Sequence, residues 1–357
     1  MTLQQQAQKI IDRYVDSGSE NSLQFCVFKD GECIIDVHSG FFDFDKTRPI
    51  DSDTLFPVYS TTKTLAATAA NILIDRGAVS EKTPVREYWP EFACNGKENT
   101  LLQHLLNHSS GLPQRFPEQR TLELVCNWEA MTGAIAKIRP DWLPGTRTRY
   151  QSLTFGWVIG ETVRRITGKS FKEFISEKIF SRTSRQDFYI GMDDETEKRA
   201  AEFRLAPSLP HSSSDTACDP LDELMRQKII RRAIHPGFNG FASARGLASF
   251  YNDLLNERFF SRSMLLRATT MHRPEPELPT QNSWNTFGNG YALSGPVDDV
   301  GQVFGHGGYG GSDGLADRKQ NIAVGFTCGV LGGHPCKDEL FKLIGLIQRE
   351  NWIEPQH

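Results

Sequence analysis

A chain of 357 residues, 38% hydrophobic and 24% charged, has ample material for a full core and suggests two or three domain-sized units or one large composite one. Its net charge of −4 gives no electrostatic reason to expect nucleic acid or an anionic membrane as partner. No stretch is apolar for the length a bilayer span needs, and residues 1–11 lack the apolar run of a secretion signal. The 7 cysteines contain no C-x-x-C pair, which favours free thiols over a disulfide or zinc framework, so a cytoplasmic location is expected.

Residues 2–15 read as an amphipathic helix, with Leu3, Ala7, Ile10, Ile11, Tyr14 and Val15 on or near one face. Two β-prone runs, 23–28 and 33–39, flank Lys29-Asp30-Gly31-Glu32, and Asp-Gly between such runs signals a hairpin. A polar, turn-rich connection over 43–56 leads to a helix beginning near Ser60. Ser60 reads as its N-cap, Leu65, Ala69, Ile72 and Leu73 as its apolar stripe, and Gly77 as its stop.

Downstream the chain turns to helices and long loops. Helical patterns cover 99–107, 121–138, 153–167 (closed by Gly168) and 170–179, with Asp141-Trp142-Leu143-Pro144-Gly145 as a turn and 206–220 as a proline-punctuated surface loop. One more helix, 243–256, precedes strands at 289–294, 302–306, 312–317 and 322–328, and 338–349 reads as a closing amphipathic helix. Strands at both ends with helices between them predict an α+β fold. One antiparallel sheet is built from both termini and flanked by terminal helices, with a large all-α insertion. The expected division is a discontinuous sheet domain, 1–75 and 236–357, and a mainly helical domain, 76–235.

On the helix that Ser60 opens, Ser60 and Lys63 share one face. A serine hydroxyl is a poor nucleophile until a base takes its proton, and a lysine whose pKa is lowered by burial or nearby positive charge can do so. Ser-x-x-Lys alone arises readily by chance, but no other serine here has lysine three residues on. Two further stretches fit the same chemistry.

Ser60-x-x-Lys63, then Tyr150-x-Ser152, then His306-Gly307-Gly308 resemble the three ordered motifs of the serine β-lactamase and penicillin-binding-protein superfamily. Order and spacing are most similar to the class C β-lactamases and the esterases of that fold, and the resemblance covers nearly the whole chain. Leu105-Leu106-Asn107-His108-Ser109-Ser110-Gly111-Leu112 and Pro144-Gly145 fit the same pattern. The resemblance implies Ser60 as the acylated nucleophile and Lys63 as its partner. It implies Tyr150, as phenol or phenolate, sharing the general-base work, and an active site in the cleft between the two domains. The N–H groups of Ser60 and Tyr309 would form the oxyanion hole, with Ser152, His306, Gly307 and Gly308 binding substrate.

The departures from the family pattern bear on the substrate. The third motif usually opens with lysine and a hydroxyl residue that grip a carboxylate; here stand His306, a weaker cation, and Gly307. The second motif usually ends in asparagine; here it is Ser152. Both point away from β-lactams and D-Ala-D-Ala peptides, and towards a carboxylesterase on a small-molecule ester or amide that needs no metal or organic cofactor. Acyl transfer, β-lactamase or D-amino-acid peptidase activity, and an inactive binding protein remain the alternatives.

Rival signals are weaker. Gly310-Gly311-Ser312-Asp313-Gly314 matches a G-x-S-x-G elbow, but residues 314–322 read strand, turn, strand instead of helix, which favours a structural glycine turn; little chain remains for the triad partners, although His334 lies downstream. His104 and His108 have the spacing of paired metal ligands, although helix-end histidines more often bond to backbone. Trp142, Phe155 and Trp157 could line an acyl pocket or simply belong to the core.

Overall fold

The structure, a computed structural model, describes residues 1–112, 121–207, 221–272, 286–296 and 298–346. Its first helix, α1 (Leu3–Asp16), is opened by a capping box: Thr2 Oγ1 accepts the Gln5 N–H at 3.2 Å and Gln5 Oε1 accepts the Thr2 N–H at 3.0 Å. Strands β1 (Ser22–Lys29) and β2 (Glu32–Gly40) form the expected hairpin. Asp30 at φ 51° and Gly31 at φ 87° supply the two positive dihedrals that a twisted two-residue turn needs. β3 (Phe56–Tyr59) then runs through a 3-10 turn, Ser60–Thr62, into α2 (Lys63–Asp75).

The middle of the chain holds α3 (Leu102–Leu106), α4 (Leu122–Cys126), α5 (Trp128–Lys137), α6 (Thr154–Thr167) and α7 (Phe171–Ile175), and then β4 (Phe188–Tyr189), α8 (Asp194–Glu197), β5 (Arg204–Leu205), α9 (Leu221–Arg226) and α10 (Lys228–Arg232). The last part carries β6 (Gly240–Ala242), α11 (Ala244–Leu255), α12 (Arg262–Ala268), β7 (Ala292–Ser294), β8 (Val303–Gly307), β9 (Asp313–Asp317), β10 (Ile322–Cys328), β11 (Val330–Leu331) and α13 (Pro335–Leu343).

The main sheet has the order β2-β1-β10-β9-β8-β7, every neighbouring pair antiparallel. Its centre joins the two termini, since β1 lies beside β10 with Phe25 opposite Phe326. Successive side chains on β1 point to opposite faces. Phe25 meets Phe341 of α13 at 6.1 Å between ring centroids, while Cys26 packs on Ala244 and Ala248 of α11. The sheet is thus covered on both sides, α1 and α13 on one and α11 on the other. Every residue of α2 from Lys63 to Ile74 is buried, so the apolar stripe read from the sequence is part of a helix enclosed all round.

Several boundaries differ from expectation. The helix expected over 121–138 is two, because Asn127 leaves helical geometry and its side chain accepts the Ala130 N–H at 3.0 Å, capping α5 afresh. The pattern over 99–107 shortens to α3, since Leu101 is extended and bridged to Pro84. The pattern over 170–179 becomes α7 followed by a π-helical stretch, Ser176–Phe180. The strand expected over 289–294 shrinks to β7, and the closing helix begins at Pro335, where proline's fixed φ suits a first turn. Residues 208–220 of the expected surface loop and the end of the 338–349 helix lie outside the described residues.

Candidate active site

Ser60 is set by a strained turn. β3 is buried throughout, and at its last residue, Tyr59, the backbone takes φ 41°, ψ −121°, which costs a non-glycine residue of order 1–3 kcal/mol. The wholly buried Tyr59 ring, edge-on to Tyr309 at 5.5 Å between centroids, anchors that conformation. The chain therefore leaves the strand abruptly, and Ser60 is the first residue of the 3-10 turn. The expectation that Ser60 caps α2 is overturned: the 3-10 turn intervenes, Thr62 takes the cap position of α2 with no side-chain cap, and the Ser60 hydroxyl meets other partners.

Two groups meet that hydroxyl. Lys63 Nζ lies 2.9 Å from Ser60 Oγ, and the Tyr150 hydroxyl lies 2.8 Å from it. Lys63 Nζ also donates to the Gly237 carbonyl at 2.8 Å. Lys63 is fully buried, and burial holds its pKa well below that of an ordinary lysine, favouring the neutral amine.

Tyr150 arrives from the loop ahead of α6 and is bracketed by His108. The Arg149 N–H donates to the His108 carbonyl and the Gln151 N–H to His108 Nδ1, each at 3.1 Å, and the His108 and Tyr150 rings lie 5.2 Å apart. The Tyr150 ring is half-buried, but its hydroxyl end is enclosed. Enclosure raises the phenol pKa more than the Ser60 contact lowers it, so the resting group is the phenol and the phenolate option is not favoured.

β8 brings the third motif alongside. The Thr61 hydroxyl donates to the His306 carbonyl at 3.0 Å, tying β8 to the turn that carries Ser60. The His306 ring lies 5.7 Å from the Tyr150 ring between centroids. It is buried, and burial, then Lys63, lower its pKa to about 3. His306 is therefore a neutral imidazole, which corrects its reading as a weak cation. Gly307 sits in register with Asp313 on β9. Gly308 admits no side chain, since a Cβ there would lie 2.1 Å from Ser312 Oγ and 2.3 Å from the Val58 carbonyl. Ser152 is half-buried two residues beyond Tyr150, and among the described residues no hydrogen bond joins its hydroxyl to Ser60, Lys63 or Tyr150.

Three contributors carried no clear signal in the sequence. The Gly237 carbonyl had only the Pro236-Gly237 turn signal, which says nothing of a lysine in α2. Tyr59 looked like an ordinary strand residue, and His108 belonged to a motif without an assigned task. The rival signals resolve structurally. Ser312 is buried in the β8–β9 connection and donates to Val58 O at 3.2 Å. His104 and His108 use Nδ1 to accept backbone N–H groups, from Leu101 and Gln151. Phe155 and Trp157 are core residues, and Trp142 donates to the Ser109 carbonyl at 3.3 Å.

Comparison with known proteins shows the family and the fold. A family model described as Beta-lactamase matches residues 7–349. The esterase/beta-lactamase LipL of Mycobacterium tuberculosis is 27% identical over 325 residues, covering 83% of this chain and 74% of that one. A beta-lactamase of Escherichia coli is 26% identical over 45% of this chain and 42% of its own length. Among solved structures, a family VIII carboxylesterase superposes with a TM-score of 0.82 at 27% identity, covering 96% of each chain. EstA from Arthrobacter nitroguajacolicus Rue61a gives a TM-score of 0.82 at 25% identity over 95% of each chain. The fold is that of the β-lactamases and transpeptidases, and the chain belongs to the Beta-lactamase family.

Proposed function

We propose that the protein is a serine hydrolase working through an acyl-enzyme, a carboxylesterase on small esters. The observation that carries the reading is the single hydroxyl, Ser60 Oγ, lying within hydrogen-bond reach of both a buried lysine amine and a tyrosine phenol. In the forward step Ser60 Oγ attacks the ester carbonyl while the Lys63 lone pair takes its proton. The oxyanion leans on the backbone N–H groups of Ser60 and Tyr309. As the tetrahedral intermediate collapses, the carbon–oxygen bond to the alcohol breaks and Tyr150 hands its proton to the leaving oxygen, recovering one from Lys63. Water then attacks the acyl-enzyme by the reverse relay, releasing the acid and restoring Ser60.

Ester selectivity rests on what faces the substrate. A neutral His306 and Gly307 provide no cation and no hydroxyl to grip a carboxylate, and Ser152 lacks the amide of asparagine. The site lies in the cleft between a sheet domain (1–75 and 236–357) and a helical domain (76–235), with Ser60 and His306 from one and Tyr150 from the other. A reducing compartment such as the cytoplasm suits a chain whose described cysteines are free thiols. The test is hydrolysis of a short-chain chromogenic ester by wild type beside Ser60→Ala. Turnover by the wild type, and its loss by about four orders of magnitude or more in the variant, is expected. Equal hydrolysis by both would remove Ser60 from the mechanism.

A further inference from the structure

Behind the Tyr309 turn lies a buried polar cluster that the chemistry above does not use. Glu20, which precedes β1, His334, which precedes α13, and Cys328, at the end of β10, are all buried. His334 Nδ1 lies 2.6 Å from Glu20 Oε1, and His334 Nε2 lies 2.9 Å from the Gly310 carbonyl. A carbonyl can only accept, so Nε2 must carry a hydrogen, and the carboxylate opposite Nδ1 holds the ring in a state that donates there. The Gly332 N–H and the Cys328 thiol point at the same carbonyl, at 3.1 and 3.4 Å.

The consequence for the site runs through two peptide planes. The Gly310–Gly311 peptide that offers this carbonyl has its N–H on the other side, and that Gly311 N–H donates to the Gly308 carbonyl at 3.1 Å. The Gly308 carbonyl belongs to the peptide whose N–H is that of Tyr309, and in a trans peptide the two point in opposite directions. Residues 308–311 are thus a β-turn with Tyr309 second and Gly310 third, and Gly310 at φ 80° is what a type II turn requires there. The turn is close against its support: a Cβ on Gly310 would lie 2.4 Å from Leu331 Cβ, and one on Gly311 would lie 2.2 Å from His334 Cδ2. Lys337, in the first turn of α13, donates to the Gly311 carbonyl at 3.2 Å and pairs with Asp313 at 2.7 Å.

We propose that His334, held by Glu20, is a positioning residue that fixes the direction of the Tyr309 N–H and so keeps one half of the oxyanion hole formed in the resting enzyme. This rests on the hydrolase reading above, which assigns the Tyr309 N–H its role. Burial opposes a charge on the imidazole, but Cys328 and Glu20 outweigh it and hold its pKa well above that of an ordinary histidine, which secures the donating ring.

The test uses the full chain and three variants: His334→Gln, which retains an N–H donor, His334→Leu, which does not, and Glu20→Gln with His334→Leu, which leaves no buried carboxylate unpaired should the single change fail to fold. Three readouts are taken: Ser60 phosphonylation by a fluorophosphonate, kcat and KM on a short-chain ester, and deuterium exchange over residues 308–312. The leucine variants should label and turn over about 10–100-fold more slowly with KM little changed, and exchange faster over 308–312, while His334→Gln recovers most of the rate. Leucine variants that fold and label at the wild-type rate would overturn the positioning role while leaving the hydrolase reading intact. A wild type that is folded yet not labelled at Ser60 would instead overturn the hydrolase reading, and the positioning role with it.

Discussion

At the scale of single residues, Ser60, Lys63 and Tyr150 divide the work by protonation state. Burial pushes the amine and the phenol in opposite directions on the pH axis, and both movements favour the neutral form. These directions set the sign of the pH dependence. The neutral amine is present above the folded pKa of Lys63, which lies well below 10.5, so kcat/KM should rise with unit slope through that pKa and then level off. The phenol persists beyond the ordinary tyrosine range, so no alkaline descent is expected below about pH 10. A pH–rate profile checks both limbs, and a descent centred near neutrality would count against Tyr150 as the proton donor. Tyr150→Phe should lower kcat by about 10²–10⁴ with the thermal midpoint nearly unchanged.

At the scale of elements, the amine of Lys63 depends on how closely α6 approaches the turn that carries Gly237. Gly156, in the first turn of α6, makes that approach possible, because a Cβ there would lie 2.1 Å from the Gly237 nitrogen. Gly156→Ala must push backbone away, at a cost of about 1–3 kcal/mol, and should also impair activity by shifting the carbonyl that Lys63 bonds. Gly133, inside α5, is the contrasting case, with no atom within 4 Å of a built Cβ. Gly133→Ala should stabilise by roughly 1 kcal/mol through helix propensity alone, with activity unchanged. Denaturant unfolding of both variants, beside their ester turnover, separates packing from propensity.

At the scale of the whole molecule, buried histidines tie stability to pH. His235, stacked on Phe238 at 5.0 Å, is buried with neither ring nitrogen hydrogen-bonded among the described residues, and burial lowers its pKa to about 3, as it does for His306. Below the ordinary histidine value of about 6.5 the unfolded chain takes up these protons and the folded one does not. Each such histidine therefore withdraws about 1.4 kcal/mol of stability per pH unit between roughly 6 and 4. His334 acts with the opposite sign: its contribution is complete below its unfolded pKa and is lost as pH rises through its folded pKa. Burial lowers the pKa of His104 and His108 as well, so four lowered histidines oppose the one raised, and the thermal midpoint should fall on acidification from pH 7 to 5. His235→Phe, which fills the space without an orphaned polar atom, should stabilise by about 1–3 kcal/mol, raise the midpoint and flatten its slope. An unchanged slope would show that His235 takes up its proton without unfolding.

What the sequence determined by itself was local or periodic. The amphipathic first helix, the Asp30-Gly31 turn and the β-prone runs of β1 and β10 are set by neighbours a few residues apart, where turn chemistry and side-chain period decide; Tyr150 and His306 join Ser60 and Lys63 only through resemblance to a family's ordered motifs. They sufficed for the α+β class, the sheet joined from both ends and the group around Ser60. The tertiary structure decided the rest. That Ser60 leaves the helix cap for two catalytic-type partners depends on a backbone strain at Tyr59 that only a buried ring can hold. That Lys63 is an amine, Tyr150 a phenol and His306 a neutral imidazole depends on desolvation by atoms from distant parts of the chain. The Gly237 carbonyl and the His334 donor belong to the same class, because burial and the direction of a hydrogen bond are properties of packed space and have no period along the chain.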